Sequence, residues 1–122
     1  MLLKALLVGL GGFAGAIARY GITQLSSEWL KNWPLGTLLV NLIGSFIAGA
    51  LIYGVFNPKV LPDSYRLLLA VGFCGSLTTM ATFALDTVQL AEAKEILNAL
   101  IYFVLNALGC ILMVLAARQL FG

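Results

Sequence analysis

Polar side chains that recur inside long apolar stretches are the chemically suggestive feature of this sequence. Asn98, Tyr102, Asn106 and Cys110 follow one another at four-residue steps, which places them along one face of a helix. Asn41 stands in the run Gly36-Thr37-Leu38-Leu39-Val40-Asn41-Leu42-Ile43-Gly44-Ser45-Phe46, and its amide offers two N–H donors. A third stretch reads Gly72-Phe73-Cys74-Gly75-Ser76-Leu77-Thr78-Thr79-Met80-Ala81-Thr82-Phe83. Its glycines, serine and paired threonines are poor helix formers, so a local break is expected there. Where such a break is surrounded by lipid, the freed carbonyls must be satisfied by protein, water or an ion. Converging carbonyl oxygens suit a hard cation such as Na⁺. Beyond the break Met80, Phe83 and Thr87 share a face, and Thr79, Phe83 and Asp86 overlap it. Enzyme chemistry is not encoded in an evident way. The chain has no histidine, and no acid pair within one segment provides a base–nucleophile arrangement. Cys74 and Cys110 lie in apolar surroundings, lack metal-ligand spacing and read as free thiols packing as small hydrophobes.

The elements that carry these residues are set by composition. Of 122 residues 61% are hydrophobic and only 10% charged, with a mean hydropathy of +1.03. A soluble domain carries about 25% charged residues and cannot hide this much apolar surface at such a size. Four stretches have the roughly 20 apolar residues needed to cross a bilayer. They run from about Leu2 to Leu25, Gly36 to Phe56, Arg66 to Leu90 and Ile96 to Ala117. Apolar residues surround each helix rather than striping one face, which excludes a soluble amphipathic bundle. Between them Ser26–Pro34 reads as a polar turn with Trp29 and Trp33 at headgroup level. Asn57-Pro58 stops the second span, Pro62-Asp63-Ser64 marks a loop, and Ala91–Glu95 is a charged connection. Small residues four apart (Gly11/Gly15, Gly12/Ala16, Gly44/Ala48, Ser45/Gly49) predict close helix contacts and an oligomer. The expected fold is therefore an all-α membrane protein: one transmembrane domain over residues 1–122, four helices, the third broken near its middle.

Charge placement bears on orientation. With four spans, Lys4, Lys59, Arg66 and Arg118 fall on one side of the membrane, and Arg19, Lys31 and Lys94 on the other. So even a distribution provides no clear cytoplasmic excess. A chain able to insert either way up can form an antiparallel homodimer with its two-fold axis in the membrane plane. The formal charge of +2 and the absence of a basic run argue against a nucleic-acid partner.

Three motifs in order carry a family resemblance: Gly15-Ala16-Ile17-Ala18-Arg19-Tyr20, the Asn41 segment, and Gly72-Phe73-Cys74-Gly75-Ser76-Leu77-Thr78-Thr79. Together they resemble the CrcB/Fluc fluoride channel family across essentially the whole chain. The resemblance implies a multi-pass protein of the bacterial cytoplasmic membrane that exports fluoride passively. It implies a dual-topology homodimer with two pores and a structural Na⁺ at the dimer interface, held by the carbonyls of Gly75 and Thr78. Asn41 is the implied pore amide, and Phe83 belongs to the implied phenylalanine box. Thr82, Tyr102 and Asn106 are expected to supply further donors along the path. Arg19 is expected to concentrate anions in a vestibule. The family commonly reads Thr-Thr-Phe-Ser-Thr-Phe where this chain has Thr78-Thr79-Met80-Ala81-Thr82-Phe83. Met80 thus brings a thioether to the pathway in place of a phenyl edge, and Ala81 donates no hydrogen bond. The expected consequence is an intact fold and Na⁺ site with slower conduction. A dual-topology, proton-coupled multidrug exporter is the rival of similar size, but it needs a carboxylate deep in the bundle. Only Asp86 approaches that requirement, near a helix end. A non-transporting accessory subunit would leave the polar face of the fourth helix unexplained.

Overall fold

Apolar length explains the helices. In the computed structural model, which describes residues 1–55 and 62–122, four helical spans cover Leu2–Ser27, Leu35–Gly54, Asp63–Glu92 and Ile96–Phe121. Their 26, 20, 30 and 26 residues each match or exceed the ~20 residues a span requires. The first is one helix, α1 (Leu2–Ser27), and the second is α2 (Leu35–Ala50), extended by a π-helical stretch over Leu51–Val55. The third is composite: α3 (Asp63–Arg66), a π-helical stretch over Leu67–Cys74, α4 (Gly75–Leu77), an interruption, then α5 (Met80–Glu92). The fourth is α6 (Ile96–Phe121).

Burial supports a lipid environment. Only 11% of the most apolar window of α1 and 17% of that of α6 is buried within the chain. Leu6, Leu10, Phe13 and Ile17 on α1, and Leu105, Leu108, Leu112 and Leu115 on α6, face outward. Such surfaces are untenable in water and ordinary in a bilayer, where backbone groups are satisfied within each helix.

Glycine sets how closely the spans approach. A methyl group on Gly11 or Gly15 would strike the carbonyls of Leu68 or Phe73, and one on Gly72 the carbonyl of Val8. α1 is therefore pressed backbone to backbone against the first half of the third span. On the other side α2 lies along α6, with Gly49 against Ala117 and Val114 and Gly109 against Leu42. Several of the small residues that predicted oligomer contacts are thus used within one chain. An interior cluster of Leu38, Phe83, Leu90, Ala99 and Tyr102, flanked by Trp33 and Leu42, ties α2, α5 and α6 together.

The boundaries differ from expectation in physical detail. α1 continues through Ser26 and Ser27, whose hydroxyls donate back to carbonyls of their own helix, those of Ile22 and Gln24 respectively. Trp33 does not simply face headgroups; it packs edge-on against Tyr102 with 5.4 Å between centroids. Asp63 and Ser64 start a helix rather than a loop, with Pro62 at its N-cap position in an extended conformation (φ −56°, ψ 153°). The expected stop at Asn57-Pro58 and the charge of Lys59 lie outside the described residues. In the last connection Lys94 takes φ 61°, a left-handed conformation that turns the chain sharply into α6.

Candidate functional site

The third span breaks at Thr78 and Thr79, whose backbones are extended (φ −83°, ψ 158° and φ −149°, ψ 124°). Poor helix formers weaken the ladder there, and Asn41 from α2 replaces what is lost. Its Oδ1 accepts the Thr79 N–H at 2.8 Å, while its Nδ2 donates to the Thr79 carbonyl at 3.2 Å. The same Nδ2 donates to Asn106 Oδ1 on α6 at 2.9 Å. One side chain thus holds both backbone polar groups of Thr79 and joins three spans. Asn106 in turn donates through Nδ2 to the Tyr102 carbonyl at 3.1 Å. Asn41, Tyr102 and Asn106 are all buried.

New termini arise on both sides of the break, each handled by a side chain. Thr79 caps α5: its Oγ1 accepts the Thr82 N–H at 3.2 Å and donates to Thr82 Oγ1. On the other side Arg19 Nε donates to the Ser76 carbonyl at 3.0 Å, placing a cation at the negative end of the preceding helical half. The Thr79 N–H that would continue the ladder onto the Gly75 carbonyl is taken by Asn41. Likewise the Thr82 N–H that would reach the Thr78 carbonyl is taken by Thr79. Gly75 lies on an exposed face where an added Cβ would meet nothing within 4 Å.

A carboxylate joins the polar interior. Asp86 Oδ2 accepts from Thr37 Oγ1 and from Tyr102 OH, each at 2.9 Å. Asp86 sits well inside α5 and half-buried, deeper than the helix-end position expected from the sequence. Thr37, Thr79 and Asp86 are the residues of this network that residue-type reasoning left without a role. The signal was present, since Thr79, Phe83 and Asp86 share a face of α5. Phe83 packs within an aromatic group, 5.6 Å from Tyr102 and 5.7 Å from Phe103.

Recesses flank the break. One of about 240 Å³ is bordered by Arg19, Tyr20, Thr37, Thr79 and Thr82. A second, of about 230 Å³, is lined by Asn41, Ser45, Thr78, Thr79, Met80 and Cys110. A third, of about 460 Å³, opens between the first connection and α5, with Lys31, Trp33 and Asp86 among its walls. Thr79 borders both smaller recesses, and Asn41, whose amide donates to Asn106 on α6, lines the second together with Cys110. The structure therefore gathers Asn41, Thr82, Phe83, Tyr102 and Asn106 into one seam. Met80, largely exposed, and Arg19 stand at different recesses beside it. Asn98, first in the predicted polar stripe, is half-buried and makes no side-chain hydrogen bond in this seam.

Hydrogen-bond donors threaded through four membrane spans, with recesses on either side of a helix break, define a multi-pass membrane protein of the channel and transporter class. Sequence comparison narrows the class. A profile described as CrcB-like protein, camphor resistance (CrcB), matches residues 6–118, and the chain belongs to the CrcB family. It is 44% identical over 121 residues to a fluoride-specific ion channel FluC of Methanocaldococcus jannaschii, covering 98% of this chain and 95% of that relative. A protein of the same name from Methanococcus aeolicus is 42% identical over 115 residues, 94% of this chain and 92% of the relative. Another, from Aeromonas salmonicida, is 42% identical over 116 residues, 94% of this chain and 93% of its own length.

Proposed function

We infer that this chain is a fluoride-selective ion channel that exports fluoride passively across the cell membrane. The observation that carries the inference is the Asn41 amide at the break of the third span, in a chain aligned almost end to end with fluoride-specific channels. Fluoride is small and holds its water tightly, so a selective pore must replace hydration with closely placed donors. In this seam most donors are turned to protein acceptors: Asn41 to Asn106 and Thr79, Asn106 to Tyr102, Tyr102 to Asp86. An arriving anion exchanges these partners one at a time, so no donor is left bare in the apolar interior. Arg19 and Thr82 form the mouth on one side, where the Arg19 charge raises the local anion concentration. From there the path follows Asn41, Asn106 and Tyr102, with the edge of Phe83 alongside and Met80 at the opposite recess.

The functional unit is an antiparallel, dual-topology homodimer with two pores. Even charge placement supports that assembly, as does the exposed Gly75 face beside the break. The Gly75 and Thr78 carbonyls, whose helical donors are diverted, fit a hard monovalent cation and are the residues that would hold a structural Na⁺ between two copies. When bound, Na⁺ supplies a fixed positive charge at the interface.

Fluoride efflux from liposomes containing the purified protein, with chloride efflux as control, tests the function. Fluoride loss with negligible chloride loss is expected. Met80→Phe with Ala81→Ser should speed it, since a fixed ring edge and a hydroxyl are restored to the pathway. Loss of both anions at equal rates, or of neither even in the restored variant, would refute the assignment.

A further inference from the structure

We propose that the Ser45 hydroxyl is a further donor on the fluoride path, taking the ion from the Asn41 amide into the recess beside the helix break. The inference rests on the functional reading above and extends it by one residue. Serine and threonine hydroxyls inside a helix commonly turn back to a carbonyl of the preceding turn. Ser26, Thr78 and Thr87 do so here, donating to the carbonyls of Ile22, Cys74 and Phe83. Ser45, inside α2, makes no hydrogen bond among the described residues. Every fully buried side-chain oxygen and nitrogen of those residues has a partner, so the unbonded Ser45 oxygen is an accessible one. The space it borders is the recess of about 230 Å³ that Asn41, Met80 and Cys110 also line.

Register brings this hydroxyl to the path. α2 and α6 meet in a layered seam, in which Asn41 donates to Asn106 and, two turns on, Gly49 lies against Val114 and Ala117. Steps of four on both helices place Ser45 opposite Cys110 between those contacts, and both residues line the recess. A methyl group on the neighbouring Gly44 would strike the Thr78 side chain, so α2 is pressed onto the broken span at this level. Beyond it the seam closes, because Ala117 is fully buried and a Cβ on Gly49 would find no room. An ion leaving Asn41 on this side therefore turns outward through the recess, past the exposed Met80. The other side-chain O–H and N–H donors there are engaged: both Asn41 amide hydrogens, Thr78 Oγ1 and Thr79 Oγ1. Cys110 adds only a weak S–H donor. Ser45 is thus the strong side-chain donor that can meet fluoride without first giving up a protein partner. Its O–H replaces one water of the ion's shell, which is what a step away from the amide requires.

Fluoride efflux from liposomes bearing the unaltered chain, Ser45→Ala, Ser45→Thr or Ser45→Cys tests the assignment. Ser45→Ala should slow efflux by about tenfold, the effect of one lost hydrogen bond to a charged group. Ser45→Thr should restore most of the rate, because the hydroxyl remains. Ser45→Cys, close to serine in shape but a weak donor, should behave as Ser45→Ala does. Monodisperse elution shows that each variant is folded. Three results would overturn the role of Ser45 and leave the channel reading in place: undiminished efflux in Ser45→Ala, equal losses in Ser45→Ala and Ser45→Thr, or full efflux in Ser45→Cys. Absence of fluoride efflux from the unaltered chain and from its Met80→Phe, Ala81→Ser variant would overturn the channel reading itself, and this inference with it.

Discussion

Asn41 serves as both a structural splice and a source of donors. An aspartate of the same shape could accept from Thr79 but would set a negative oxygen against Asn106 Oδ1 and the Thr79 carbonyl. Tyr102 has a separable role. Its ring packs between Trp33 and Phe83, and its hydroxyl reaches Asp86, so Tyr102→Phe keeps the packing and removes one hydrogen bond. Thr37 still donates to Asp86 in that variant. The expected stability cost is about 0.6–1.5 kcal/mol, measurable by thermal unfolding in detergent, together with slower fluoride efflux. Unchanged efflux would take the Tyr102 hydroxyl out of the path. Tyr102 and Asn106 could be placed on the inward face of α6 from their four-residue spacing, whereas Asn98 and Cys110, in the same register, are only half-buried. Asp86 could not be placed that way, because its depth depends on where α5 ends, and α5 runs on through Glu92.

At the scale of elements, the broken span is the distinctive feature, and its cause is written locally. Glycines, a serine and two threonines mark residues 72–79 as a weak helix, but they do not say which peptide gives way. That choice is tertiary: Asn41 and Arg19, both distant in sequence, hold the Thr79 peptide and the Ser76 carbonyl. Thr79 then caps α5 through Thr82. Thr79→Ala should cost about 1 kcal/mol through loss of this cap, read as a lowered Tm. Thr79→Ser should restore most of it, because the oxygen is what caps. Equal losses for both would assign the effect to packing of the Thr79 methyl group. The π-helical stretches over Leu51–Val55 and Leu67–Cys74 were not legible in the sequence. They are wide turns within apolar runs that read equally well as α-helix, and the close approach of Gly72 to Val8 and Gly11 constrains the second of them.

For the molecule as a whole, apolar length made four spans legible, and lipid explains the exposed faces that a soluble fold could not carry. Oligomer contacts were less legible, since small residues serve contacts within the chain as readily as contacts between copies. The proposed dual topology makes its own prediction. With Lys31 replaced by cysteine in a background lacking Cys74 and Cys110, an impermeant thiol reagent applied to intact cells should label roughly half the protein, as expected when no charge bias fixes orientation. Labelling of all or none would show a single orientation and exclude the antiparallel dimer. The central claim, that fluoride crosses beside the Asn41 amide, is tested most directly by fluoride efflux from liposomes bearing Asn41→Asp. Two donated hydrogen bonds of about 1–1.5 kcal/mol each are lost, so efflux should fall by about 30- to 150-fold while the protein still elutes as folded. Efflux equal to that of the unaltered chain would contradict the claim.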